Sequence, residues 1–290
     1  MVQIKDIKSR IKGIKGTQKI TKAMKSMSLI RLQRAEARAL ASRPSIYAIT
    51  DIVSHLDSDN VYFMGNKSKD ALFVIFTSDR GLCGAFNENL MREAEEAIKE
   101  RSKKAVPAGR QGKCRLILIG TKAVMHFRKK GYDIHSTYTH LPPDPTVSLS
   151  NLVINDCKKL YLSEQVGEVV LVYNNFKSKL KYEIRLKKML PLPKLMLSAR
   201  QGIRPIFLYE PDSGQLVDKV IEMFLESTVF HSFLDLYASE YSARFAAMSK
   251  ATDSAQEMID GLTLELNKTR QALITNEILE IISGAEALAS

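Results

Sequence analysis

Along the last quarter of the chain, apolar residues recur at alternating steps of three and four. Tyr241, Phe245, Met248, Ala255, Ile259, Leu262, Leu266 and Leu273 fall on one seam, with Thr252 and Thr269 filling its gaps. After a one-residue slip, Ile274, Ile278, Ile281, Ala285 and Leu288 continue it. This is the spacing of a helix that packs along another helix. Proline is absent from Asp212 to Ser290, so residues 215–288 read as one helix of roughly 110 Å at 1.5 Å per residue. A capping box fits its start, with Asp212 as N-cap, Gln215 three residues on and Asp218 in the opening turns. The plainer alternative is a long bundle helix inside an ordinary domain.

The other end of the chain offers a partner. Ile4, Ile7, Ile11 and Ile14 form a heptad seam, which hydropathy carries on through a one-residue slip to Thr17, Ile20, Met24 and Met27, then Ala35 and Ala39. A three-residue step from Ile14 to Thr17 would be a local stammer in the coil. The pattern persists through Ile49, Ile52, Val53 and Leu56, interrupted by Pro44, which either ends the helix or kinks it. Setting Leu56 beside Gln215 in an antiparallel coil places Gln3 near Lys268. The residues beyond then have no helix partner, although they are apolar nearly all round.

Between the helices the pattern changes to alternating strand and helix. Residues 71–77 are a buried strand, followed by a glycine-containing turn and a helix over 87–104. A strand over 115–119, helices over 122–130 and 149–162, a strand over 168–173 and an antiparallel partner over 181–189 follow. Residues 106–113 read as a loop and residues 141–145 as a turn. The expected fold class is α/β: a long antiparallel coiled coil of the N- and C-terminal helices plus a central Rossmann-like α/β sheet domain. The expected division is residues 1–56, 57–214 and 215–290.

Charge makes the pairing specific. Residues 1–43 carry 12 Lys and Arg against Asp6 and Glu36, while residues 215–290 carry 5 Lys and Arg against 12 Asp and Glu. Exposed pairs are worth about 0–1 kcal/mol each, so charge selects partner and orientation while the apolar seam supplies stability. A basic N-terminus on a chain of pI 9.4 also admits nucleic-acid binding, yet residues 1–43 hold no aromatic side chain to stack on bases. A mitochondrial transit peptide and a membrane-surface helix are further alternatives; the first fits poorly with a seam that starts at Ile4 and runs for dozens of residues, the second with so narrow an isoleucine stripe. No apolar run reaches 18 residues, and no secretory signal is present. Cys83, Cys114 and Cys157 are scattered and read as reduced thiols in a cytosolic setting.

Enzymatic chemistry finds little footing. Gly81 and Gly84 follow the first strand, where a glycine turn can hold a phosphate, but neither GxGxxG nor GxxxxGK[ST] occurs. His55, His126, His135, His140 and His231 lie in no metal or triad pattern, and Cys83 has no evident base beside it. The glycines read as tight-turn residues. No catalytic residue, cofactor or metal ligand is expected.

Three segments carry a resemblance. The runs IKGIKGTQKITKAM (residues 11–24), TSDRGLCGAFN (residues 77–87) and LNKTRQALITNE (residues 266–277) with EIISGA (residues 280–285) resemble the gamma subunit family of F-type ATP synthases. The motifs stand in the right order and cover both ends and the middle of the chain. The resemblance implies a non-catalytic central-stalk rotor. Its terminal helices would form an antiparallel coil inside three alpha and three beta subunits, with the α/β domain beside the epsilon subunit and the membrane ring of c subunits. Ion-driven rotation of the ring would turn the shaft and cycle the catalytic beta subunits through their conformations. Such a subunit is peripheral at the cytoplasmic face of the bacterial cell membrane, inserts nothing into the bilayer and binds no nucleic acid. The chloroplast form carries two close cysteines absent here, which implies a bacterial member.

Residue by residue, the resemblance implies that Asn267, Arg270, Gln271 and Thr275 face beta-subunit loops and that Met24 and Lys25 form a coupling patch on the first helix. Family members often carry a hydrophobic residue where this chain has Lys25 or Ser26. Read without the resemblance, Arg270 is solvated helix face and Met24 is seam filler. Ile278, Ile282, Ala285 and Leu288 are expected to form a tip enclosed by an apolar sleeve. The alternative function is a non-motor coiled-coil scaffold or adaptor with an α/β head.

Overall fold

The structure, a computed structural model, describes residues 4–56, 60–103, 112–192 and 213–289. The elements run α1 (Ile4–His55), α2 (Val61–Met64), β1 (Ala71–Phe76), α3 (Phe86–Lys103), β2 (Cys114–Ile119), α4 (Thr121–Lys129), β3 (Asp133–Tyr138), α5 (Val147–Leu162), β4 (Glu168–Ser178), β5 (Lys181–Leu190) and α6 (Ser213–Ala289). Both terminal helices are as long as the seams require, at 52 and 77 residues. The proposed N-cap Asp212 and most of the loop over 106–113 lie outside the described residues. Two compact units result, one of residues 30–243 and one of residues 1–29 with 244–290.

The larger unit is built on a five-stranded sheet of order β3-β2-β1-β4-β5, parallel except for β5. Every residue of β1 is buried, as expected of a central parallel strand covered on both faces. Phe73 and Ile75 join Leu116 and Leu118 beneath Leu90, Ala94 and Ile98 of α3 and Phe127 of α4. On the opposite face Leu72, Val74 and Phe76 meet Ile117, Ile119, Val153 and Cys157, together with residues of both long helices. Phe233 of α6 packs edge-to-face on Phe76 at 5.1 Å between ring centroids. This embedding explains why α6 is buried on nearly all sides from Phe233 to Ala243.

Within this unit α1 keeps a strict heptad. Leu32, Ala39, Ile46 and Val53, each seven residues from the next, are all buried. Pro44 does not end the helix. It is exposed, and the turns around it are held by Ala39 and Ile46 in the core and by Arg43, whose guanidinium donates to the Phe176 carbonyl. The local loss of one helical hydrogen bond is outweighed by packing on either side.

Three features escaped the hydropathy pattern. Strand β3 (DIHSTY) has no apolar run; it is an edge strand whose backbone pairs with β2. Strand β4 continues five residues past Tyr173 through Asn174 and Asn175 because β5 supplies partners for them, Ile184 and Glu183. The single-turn α2 is too short to show a period.

Candidate functional site

In the smaller unit the start of α1 and the end of α6 run antiparallel. Thr252 Oγ1 donates to Thr21 Oγ1 at 2.9 Å, Gln18 Nε2 donates to Gln256 Oε1 at 2.8 Å, and the Lys25 ammonium stands 5.9 Å from the centre of the Phe245 ring. At equal rise this register brings Ile4 level with Thr269, within two residues of the alignment expected from helix lengths.

The seam itself corrects the sequence reading on α1. Ile20 and Met27, placed on a slipped seam with Thr17, are 63% and 55% exposed, whereas Thr21 and Ser28 are 9% and 3% exposed. No stammer exists: Ile7, Ile14, Thr21 and Ser28 follow one another at sevens. Hydropathy chose the larger apolar neighbours. The helices instead keep register with small polar residues, and Thr21 is tolerated there because its hydroxyl donates to the Gln18 carbonyl at 3.0 Å and accepts from Thr252.

On α6 the expected seam holds through Met248, Ala255 and Ile259, all buried, and through half-buried Leu262, Leu266 and Thr269. Past Thr269 the helix continues with no partner helix among the described residues. Leu273, Ile274, Ile278, Ile281 and Ile282 are 39–71% exposed, and Ala285 is exposed too. The side chain of Leu288 lies outside the described residues. A water-exposed helix so rich in isoleucine and leucine is unsatisfied by itself.

Asn267, Arg270, Gln271 and Thr275 are all exposed on successive turns at the start of this stretch, with the Thr275 hydroxyl donating to the Gln271 carbonyl at 2.9 Å. Met24 and Lys25 are half-buried at the level of Met248 and Lys250. About 20 residues of helix, roughly 30 Å, separate the two groups. They are two surfaces, not one site. Lys25 also has a role inside the coil, through Phe245, that the sequence reading did not contain.

The glycine turn after β1 is committed to internal contacts. Asn87 Oδ1 accepts from the Ser78 N–H at 3.1 Å, and Asn87 Nδ2 donates to Ser78 Oγ at 2.8 Å and reaches Cys83 Sγ at 3.4 Å. Asp79 Oδ1 accepts from the N–H and hydroxyl of Thr121 at 2.8 and 2.6 Å, and Oδ2 accepts from the Leu141 N–H at 2.6 Å. Burial pushes the Asp79 carboxyl up, but these donors and the His140 backbone outweigh it and hold the group below the usual carboxylate range. The carboxylate thus occupies the N-terminus of α4, whose own N-cap Gly120 has no side chain to offer. Gly120 must be glycine: at φ +89° an added Cβ would sit 2.2 Å from the Thr77 carbonyl oxygen. In the turn itself the left-handed residues are Leu82 and Gly84. Gly81, read as a tight-turn glycine, does not have a positive φ.

No helix among the described residues is long and apolar enough to cross a membrane. A family model described as ATP synthase matches residues 3–288. The ATP synthase gamma chain of Clostridium botulinum (strain Hall) is 36% identical over 285 residues, covering 97% of this chain and 96% of its own length. That of Geobacter metallireducens is 36% identical over 293 residues, covering 99% of both. Among solved structures, a chain of the Euglena gracilis mitochondrial ATP synthase superposes with a TM-score of 0.70 at 20% identity, covering 98% of this chain and 94% of the other. A chain of the central stalk and c-ring structure of the Tetrahymena thermophila mitochondrial enzyme superposes with a TM-score of 0.60 at 21% identity, covering 80% and 99%. At those identities the structural likeness speaks for the fold.

Proposed function

The chain belongs to the ATP synthase gamma chain family, as a non-catalytic rotor subunit of the central stalk, and we propose that its terminal coil is the shaft through which rotation reaches the catalytic subunits. The observation that carries this reading is the mismatch of the two helices in the smaller unit. One ends level with Thr269, while the other continues as an exposed apolar rod. A rod apolar on most sides, with no partner helix among the described residues, fits an enclosing apolar sleeve made by the alpha and beta subunits, three of each, in which Ile278, Ile282, Ala285 and Leu288 turn without interlocking polar contacts.

Asn267, Arg270, Gln271 and Thr275 would meet beta-subunit loops where the rod emerges from the coil, and Met24 with Lys25 would meet them lower on the shaft. An asymmetric shaft makes different contacts with each catalytic site, and each site responds only by the difference in contact free energy between its conformers. The sheet domain would stand beside the epsilon subunit and the ring of c subunits, peripheral to the cytoplasmic face of a bacterial membrane.

Reconstitution tests the proposal. Mixed with alpha and beta subunits, the chain is expected to co-purify as one complex with steady ATPase activity, and alone to hydrolyse no ATP. A failure to co-assemble with alpha and beta subunits would leave a non-motor scaffold as the better reading.

A further inference from the structure

In the larger unit, α1 and α6 enclose with the loop after β3 a cavity of about 180 Å³, which the shaft role does not use. Arg31, Arg34 and Arg38 line it from α1, Tyr237 and Tyr241 from α6, and Asp144 from the loop. The tyrosines are committed: Tyr237 donates its hydroxyl hydrogen to the Pro142 carbonyl and Tyr241 donates to the Pro143 carbonyl at 3.3 Å. Their contacts pin the loop to α6, so the hydrogen-bond donors left for an occupant are guanidinium N–H groups. Arg31 lies over the Tyr241 ring at 5.8 Å, which orients the guanidinium without using its N–H groups. Arg34 makes no ion pair or hydrogen bond among the described residues. Arg38 holds the carboxylate of Asp144 at 2.7 Å, a demonstration in place that the wall accepts an oxyanion.

The geometry points to this cavity as a binding site for a small phosphate-type oxyanion, inorganic phosphate or pyrophosphate, held by Arg31 and Arg34 with Arg38 released from Asp144 to join them. Three arginines and one carboxylate line the cavity, and the carboxylates of Glu240 and Asp79 also act on its Tyr237 wall, so the arginines offer donors to an occupant without the cavity being a bare positive well. Planar guanidinium forks match the acceptor-only oxygens of a phosphoryl group. The volume is large beside the roughly 15 Å³ that one water needs, and suits a phosphoryl group better than an extended chain. Because Asp144 competes for Arg38, its removal should tighten binding.

The test is titration of the purified full-length chain with inorganic pyrophosphate and with phosphate, followed by calorimetry at low salt. Saturable binding at one site is expected. Arg31→Ala with Arg34→Ala should weaken it by about tenfold or more, the loss of charge-assisted bonds, and Asp144→Asn should strengthen it. A control pair, Lys12→Ala with Lys15→Ala, removes the same charge elsewhere on α1 and should change little. Arg34→Gln alone alters an exposed residue and keeps the test readable if the double variant unfolds. Absence of saturation, or equal weakening by the control pair, would overturn the proposal and reduce the effect to net charge. Displacement of pyrophosphate by a short acidic peptide that binds more tightly would also overturn it, making the cavity a docking point for protein.

Discussion

Thr252 donates a hydrogen bond to Thr21 across the terminal coil at 2.9 Å, on a seam lined mainly by isoleucine, leucine, alanine and methionine, with Ser28 and Thr269 further along it. Two small hydroxyl residues set the register there and leave the larger Ile20 outside. Their pairing joins a buried and a half-buried hydroxyl across the helices, so the two sites are coupled.

Replacing Thr21 or Thr252 alone by valine is expected to cost about 1 kcal/mol, the net worth of the bond between them, because each remaining hydroxyl keeps an acceptor in its own helix, the Gln18 or the Met248 carbonyl; the double replacement should cost less than the sum of the two singles. Thermal unfolding followed by circular dichroism on the full chain measures the cycle. Additive single effects would show that the hydroxyls do not act as a pair. In the same assay Ile20→Ser should change stability by no more than about 0.5 kcal/mol, as for an exposed site, while Ile7→Ala should cost about 2–4 kcal/mol.

Asp79→Ala is expected to destabilise the sheet domain at pH 7 by about 1–3 kcal/mol, since it strips the acceptor from the start of α4 and from the Leu141 amide. The native carboxyl is held below its ordinary value, so its contribution is present above the unfolded carboxylate range and disappears as pH falls through the folded pKa. Urea unfolding of both proteins from pH 7 downward should therefore show the gap narrowing in acid. A gap constant with pH would remove the charge from the explanation.

His231 and Asp235 on α6 supply opposing pH slopes. Burial lowers the imidazole to about 4, with Lys187, Arg43 and Arg185 adding to it. Burial also raises the Asp235 carboxyl to about 7, against the opposing pull of Arg43, Arg185 and Lys177 and the Phe176 backbone. For the histidine, stability rises with pH between about 4 and 6.5; for the aspartate, it falls between about 4 and 7. His231 Nε2 stands 3.6 Å from Asp235 Oδ2, so the two groups titrate as a pair and their opposing slopes offset one another over that range. Asp235→Asn should expose the rising limb and His231→Asn the falling one, both read from denaturant midpoints between pH 4 and 8. Parallel profiles for the two variants would rule this out.

Reversing Lys8, Lys12, Lys15 and Lys19 together to Glu should weaken assembly with alpha and beta subunits far more than any single reversal, because exposed pairs are individually worth little and only their summed field sets orientation. Normal assembly and coupling at low salt by the quadruple variant would show that charge does not guide the pairing.

Labelling addresses the rod. A cysteine at Ala285, exposed in the chain, should react readily in the free subunit and poorly in the assembled complex. Equal rates in both would mean that this tip is not enclosed.

Both long helices, their antiparallel register and the α/β order were legible in the sequence, because each rests on a period that local chemistry imposes: three and four for a helix seam, an unbroken apolar run for a buried parallel strand. What tertiary structure alone decided lies where the local signal and the packing disagree. Thr21 and Ser28 hold seam positions that hydropathy assigned to Ile20 and Met27, since which face of α1 is covered is set by the packed α6, and the Thr21 hydroxyl is satisfied there by the Gln18 carbonyl together with the distant Thr252. Strand β3 and the far end of β4 exist through backbone bonds to neighbours that no local pattern names. Asp79 caps a helix that begins 42 residues later, and the arginines of α1 meet the loop at Asp144 only after the chain has folded. Periodicity is a property of neighbours in sequence; capping, partnering and cavity walls are properties of neighbours in space.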